Sequence, residues 1–247
     1  MAAPFLQRSH VESVSVLLYY ITDRSAFAGT DAERRNAIVR RIAEAARAGV
    51  DYIQLREKDL PARELEQLAR QARRAVRDNS ADTRLLINSR TDIALACGAD
   101  GVHLPSDDIA ASEARTLWLK CSDRQPVIGV SAHSIADVRL AESHGANFAV
   151  LAPIFEKAQT SGKGIGLEIL RTACSPSATL DGNTGERFAV LALGGVNLEN
   201  AGACLSAGAT GVAGIRLFQT GAMAETVRRL RSLSSAHSPA ISPHLHL

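Results

Sequence analysis

The chain has 247 residues, 46% of them hydrophobic and 22% charged, and a formal net charge of +2. That is enough apolar material for one large α/β domain or two small ones, and it excludes a chain disordered along most of its length. A charge this thin, with 4% aromatic residues and no uncharged apolar stretch of bilayer length, argues against nucleic-acid and membrane partners but admits a small anionic ligand.

In chain order, residues 1–13 read as an extension. The apolar run 14–21 follows; Glu12 before it and Asp23 and Arg24 after it fit a buried strand rather than a secretion signal. A strand is expected over 17–22 and a helix over 32–48, then a strand over 52–56 and a helix over 62–77. The alternation continues with strand 85–88, helix 92–96, strand 101–104, helix 110–119, strand 127–131 and helix 135–143. It ends with strand 148–153, helix 167–173, strand 189–194, helix 198–207, strand 211–215 and helix 222–233. The strands are nearly all apolar, as parallel strands covered on both faces must be.

One phrase recurs four times, as AGVDYIQLRE from Ala48, CGADGVHLPS from Cys97, HGANFAVLAP from His144 and AGATGVAGIR from Ala207. In each, a glycine ends a helical pattern and a β-type run follows, so the phrase marks a helix-to-strand junction. Eight such β-then-α units of roughly 30 residues predict a (β/α)8 TIM barrel in a single domain, 14–233. A doubly wound open sheet is the fallback. The polar stretch 175–187 reads as an insertion, and 234–247, with His244 and His246, as a flexible tail. Cys97, Cys121, Cys174 and Cys204 lack CxxC or metal-ligand spacing, which suits reduced thiols in a cytoplasmic protein.

A parallel barrel turns the C-terminal ends of its strands to one mouth, so polar residues there are the candidates. They include Gln54, Arg56, Glu57 and Lys58; Asn88, Ser89 and Arg90; His103, Asp107 and Asp108; Ser131 and His133; and Lys157, Thr160 and Lys163. LALGGV ends the seventh strand with Gly194 and Gly195, where backbone N–H groups can approach a phosphate, with Asn197 expected to cap the next helix. Arg216, after Ile215, strengthens that reading. Arg56 and Lys58 are expected to face one way and Glu57 the other. His133, flanked by Ser131 and Ser134, can move protons near neutral pH, whereas His103 reads equally well as a satisfied wall residue.

The stretches YYITD, YIQLREK, LLINSRTDIALACGADGVHLPSDD, VIGVSAHS, FAVLAPIF and VLALGGV together resemble the thiamin-phosphate synthase/TenI superfamily, from about Tyr19 to Phe218. The resemblance implies one of two chemistries. A synthase couples a pyrimidine diphosphate to a thiazole phosphate with Mg2+. A TenI-like tautomerase moves protons on a thiazole carboxylate phosphate with no cofactor. In the synthase pattern an Asn-Asp pair ends the third strand, but here it is Asn88-Ser89, leaving Asp108 as the matching metal ligand. The Thr-x-Thr-Lys stretch expected after PIF is absent, with Lys157, Thr160, Ser161 and Lys163 in its region. Arg216 replaces the usual serine.

The missing carboxylate makes the tautomerase the first expectation. Gly194, Gly195, Ile215 and Arg216 would hold the phosphate and Arg56 and Lys58 the carboxylate, with Asn88 and Lys163 as further contacts. His133, with Ser131, would relay the proton. The alternatives are a Mg2+-dependent synthase using Asp108 and a non-catalytic binder of thiamin phosphates. Association into a homo-oligomer is left open.

Overall fold

Residues 15–156, 163–176 and 187–235 are described by the computed structural model. Its strands are β1 (Leu17–Ile21), β2 (Tyr52–Leu55), β3 (Arg84–Asn88), β4 (Gly101–Leu104), β5 (Val127–Ala132), β6 (Phe148–Leu151), β7 (Ala189–Ala192) and β8 (Gly211–Gly214). Neighbours in sequence pair in parallel, and β8 closes on β1. Closure removes both sheet edges and rules out the open doubly wound sheet.

The helices are α1 (Asp31–Ala48), α2 (Ala62–Arg77), α3 (Thr91–Cys97), α4 (Ala111–Leu119), α5 (Ile135–Ser143), α6 (Gly166–Cys174), α7 (Ala201–Ser206), α8 (Arg216–Gln219) and α9 (Met223–Ser235). Most expected elements are present within a few residues of the expected bounds. Two departures have local causes. β6 stops at Leu151, short of Pro153, whose nitrogen cannot donate to a ladder. α7 begins at Ala201 rather than 198. The Asn197 side chain accepts from the N–H groups of Glu199 and Asn200 and its carbonyl from the Ala201 N–H, the bonds expected of a cap, but residues 198–200 form a turn that leads into α7 rather than its first residues. The short α8, between β8 and α9, was not expected.

Period-two geometry divides the core. On β1, Tyr19 and Ile21 pack with Leu86, Phe148, Val150 and Leu191 in one cluster, while Leu18 and Tyr20 pack in another with Ile38 and Ile42 of α1. The first cluster fills the barrel; the second joins sheet to helices.

The fourfold phrase has a structural counterpart. Its fourth residue is Asp51, Asp100, Asn147 or Thr210. Each side chain accepts from an N–H of the preceding odd-numbered strand: Leu18 at 2.6 Å, Leu85 at 2.8 Å, Ile128 at 2.8 Å and Val190 at 3.4 Å. Each backbone N–H donates to the carbonyl of that same residue. The phrase therefore both ends a helix and clamps two strands in register.

The extension 1–13, the candidates Lys157, Thr160 and Ser161, most of the 175–187 insertion and His244 and His246 of the tail lie outside the described residues.

Candidate active site

The C-terminal ends of the strands surround a cavity of about 1160 Å³. Its wall brings together Arg56, Lys58, Asn88, Ser131, His133, Gly194, Gly195, Ile215 and Arg216 from five of the eight units. Asp108 and Lys163 are not part of that wall; Asp107 is.

The β2 end is held from behind. The buried Glu57 carboxylate accepts from the Thr22 hydroxyl at 2.6 Å and from the Arg24 backbone and guanidinium at 3.1 and 3.2 Å. Burial pushes its carboxyl up from the usual range, against the pull of these donors. Arg24 also pairs with Asp59 and Asp31. The Thr22 hydroxyl in turn accepts from the Arg56 N–H at 3.0 Å. Glu57 thus turns away from the cavity as strand alternation predicts. Its ionic partner is Arg24, not Arg56 or Lys58.

At the β3 end, the Gln54 amide donates to Asn88 Oδ1 at 2.9 Å. The next residue, Ser89, has φ 62° and donates a short hydrogen bond to Asp108, whose other oxygen accepts from the Ile109 N–H at 2.9 Å. At the β5 end, His133 is exposed; its Nδ1 donates to the Ala152 carbonyl at 2.9 Å and its backbone N–H to Asp137 at 2.8 Å. His103 is 3% exposed and lies on the cavity wall, hydrogen-bonded to Tyr19 and Ser131. Burial, helped by Arg56, lowers its pKa to about 3, so the ring is neutral.

After β7, Gly194 and Gly195 have φ of 90° and 68°, and a Cβ on them would stand 2.6 Å from Pro153 Cα and 2.7 Å from Phe155 Cβ. Only glycine fits this turn. Among the described residues neither glycine N–H has a hydrogen-bond partner. The cations show a similar pattern. Arg56, Lys58, Arg216 and Arg229, all on the wall, enter no ion pair among the described residues. Arg229 was missed by the sequence reading because it comes from α9, remote from any strand end.

Unpaired cations and free backbone donors around one cavity suit a polyanion, because each gains a charge-assisted hydrogen bond on binding. Metal requirements are narrower. Among the described residues no group of three or more His, Cys, Asp or Glu could hold a metal on protein ligands alone. Mg2+ commonly needs only one or two carboxylates, with phosphate oxygens completing its shell. Asp107 offers one such carboxylate on the wall, while Asp108, off the wall, has both oxygens engaged by the Ser89 hydroxyl and the Ile109 N–H.

Fold and mouth together define a (β/α)8 barrel with a candidate site at the strands' C-terminal ends. A family model described as "Thiamine monophosphate synthase" matches residues 18–218. The chain belongs to the thiamine monophosphate synthase family, whose members are enzymes of thiamine biosynthesis. It is 37% identical over 202 residues to the "Putative thiamine-phosphate synthase 2" of Aquifex aeolicus, covering 81% of this chain and 96% of that protein. It is 37% identical to the "Thiamine-phosphate synthase" of Moorella thermoacetica, covering 75% and 82%. A solved thiamine phosphate pyrophosphorylase from Pyrococcus furiosus superposes with a TM-score of 0.70 at 28% identity, covering 91% and 98% of the two chains. These relatives carry the synthase name, and they move the reading from the tautomerase, the first expectation, to its alternative.

Proposed function

We propose that the protein is a thiamin-phosphate synthase, joining hydroxymethylpyrimidine diphosphate to a thiazole phosphate with release of pyrophosphate. The observation that carries this reading is the set of four cations on one wall that enter no ion pair among the described residues, which matches two substrates that each bring phosphate charge to the same cavity. Gly194, Gly195 and Ile215 offer backbone donors to the thiazole phosphate, with Arg216 beside them. Arg56, Lys58 and Asn88, at the ends of β2 and β3, receive the diphosphate.

The reaction needs no general base. The thiazole nitrogen lone pair forms the new C–N bond to the pyrimidine methylene carbon. The C–O bond to the diphosphate breaks, and its electron pair leaves with pyrophosphate. The protein's task is to hold the two substrates in line, exclude competing water and meet the charge that grows on the leaving group. Ser131 is placed to donate to that group. Asp107 and Asp108 would hold Mg2+, which when bound supplies positive charge against the departing pyrophosphate.

The tautomerase keeps one specific observation in its favour, Ser89 in place of a second carboxylate beside Asp108. Incubation of the purified protein with both substrates and Mg2+ separates the readings. The synthase yields thiamin phosphate and one pyrophosphate per turnover, and loses activity in a chelator. Conversion of a thiazole carboxylate phosphate without any pyrimidine would establish the tautomerase. Tight binding of thiamin phosphate with neither turnover would establish a binder.

A further inference from the structure

His103 has no part in the assignments above, yet it stands on the wall of the same cavity between two hydroxyl groups. Nδ1 is 3.1 Å from the Tyr19 hydroxyl and Nε2 is 2.9 Å from the Ser131 hydroxyl. Tyr19 is 0% exposed, inside the barrel against Tyr52 and Phe148, and among the described residues its hydroxyl has no other partner. The imidazole is boxed in as well. A Cβ on Gly129 would stand 2.8 Å from its Nδ1 and 2.5 Å from the Phe148 ring.

These contacts fix the proton positions. A buried phenol that only accepted a hydrogen bond would strand its own proton among aromatic rings, so Tyr19 donates to Nδ1. A neutral imidazole that accepts at Nδ1 carries its proton on Nε2, and Nε2–H then donates to Ser131 Oγ. Among the described residues the Ser131 hydroxyl has no other partner. With one lone pair occupied from behind, it turns its own proton to the cavity.

We infer that His103 is a positioning residue: the chain of hydrogen bonds from Tyr19 through His103 fixes the Ser131 hydroxyl as a donor aimed at an anionic oxygen of the bound substrate. The synthase reading supplies the identity of that oxygen, on the leaving diphosphate. The proton arrangement itself depends only on the geometry.

Two measurements test the two parts separately. Nitrogen-15 NMR of the full chain without substrate reads the tautomer directly; a protonated Nε2 and a bare Nδ1 are expected at pH 7. A protonated Nδ1 overturns the inference, whether or not the protein proves to be a synthase. Kinetics with both substrates then test the role. Ser131→Ala and His103→Met should each lower kcat by about 10- to 100-fold with little change in KM, the loss of one hydrogen bond to a charge that grows in the transition state. The double variant should lose no more than either alone. His103→Gln, whose amide can still donate to Ser131, should recover most of the loss. Additive losses, or a His103→Met enzyme with wild-type kcat, would contradict a role exercised through Ser131. A wild-type protein that makes no thiamin phosphate would refute the synthase reading and leave the tautomer measurement to decide this one.

Discussion

At the residue scale, the Ser89 hydroxyl stands where the resemblance to synthases leads one to expect a carboxylate. Ser89 donates to Asp108 from a left-handed backbone conformation, φ 62°, that aspartate also tolerates. Replacing Ser89 with Asp should exchange that hydrogen bond for a second carboxylate and raise the apparent Mg2+ affinity of turnover roughly tenfold. Unchanged Mg2+ dependence would mean that the metal is held elsewhere. His133 provides the complementary case. A synthase has no proton for it to carry, and its ring is already bonded to the Ala152 carbonyl. His133→Gln should therefore keep kcat within about fivefold, since general acid-base catalysis is worth about 100-fold or more where it operates. A loss of that larger size in steady-state assays would restore His133 to a proton-transfer role. The sequence placed His133 at the mouth because it follows a strand end, but which atom bonds to it depends on the neighbouring β6 end, far away in the chain.

At the element scale, the strand-register clamps explain why one phrase is repeated. Asn147 both donates to the Ile128 carbonyl and accepts from the Ile128 N–H, and Ile128 is fully buried. Asn147→Ala would leave that N–H without its side-chain acceptor, and should cost about 1–3 kcal/mol, read as a lower urea midpoint with an unchanged slope. An unchanged midpoint would show that the clamp is redundant. The turn after β7 makes a sharper demand. Gly195→Ala places a Cβ 2.7 Å from Phe155 Cβ at φ 68°, so it should weaken binding of the thiazole phosphate as the loop shifts. Binding measured by calorimetry with wild-type affinity would contradict that. The helix-ending glycines and the β-type runs were legible because both are local. The clamps were not, since they need the register between strands. The start of α7 was misplaced by three residues because Asn197 caps a turn over 198–200 before the helix proper, and a pattern of apolar residues does not separate such a turn from a first helical turn.

At the scale of the whole molecule, barrel closure was legible from eight alternating units, while the composition of the mouth was legible only where strand alternation still held. Arg56, Ser131 and Arg216 sit at or next to strand ends and were found. Asp107 rather than Asp108 reaches the wall because the segment after β4 has left the period of two, and Arg229 arrives from a helix with no such rule. Closure also buries His103, with a consequence for pH. Its pKa falls from 6.5 to about 3, so between those values the unfolded chain holds a proton that the folded one does not. Stability therefore rises with pH across that window, by up to about 1.4 kcal/mol per pH unit from this group. The raised Glu57 acts in the opposite sense, losing stability as pH climbs above 4.5, but it is shared by wild type and variant and cancels in their difference. The stability difference between wild type and His103→Gln should shift against the wild type as pH falls from 6 to 4; a constant difference in urea titrations would contradict neutral burial. The central claim is that one mouth gathers two phosphorylated substrates, and a crystal structure with thiamin phosphate, pyrophosphate and Mg2+ tests it most directly. The ester phosphate is expected at Gly194, Gly195 and Arg216, and pyrophosphate between Arg56 and Lys58 with the metal at Asp107 or Asp108. Ligands bound away from this cavity, or a single phosphate site with no place for the second, would contradict it.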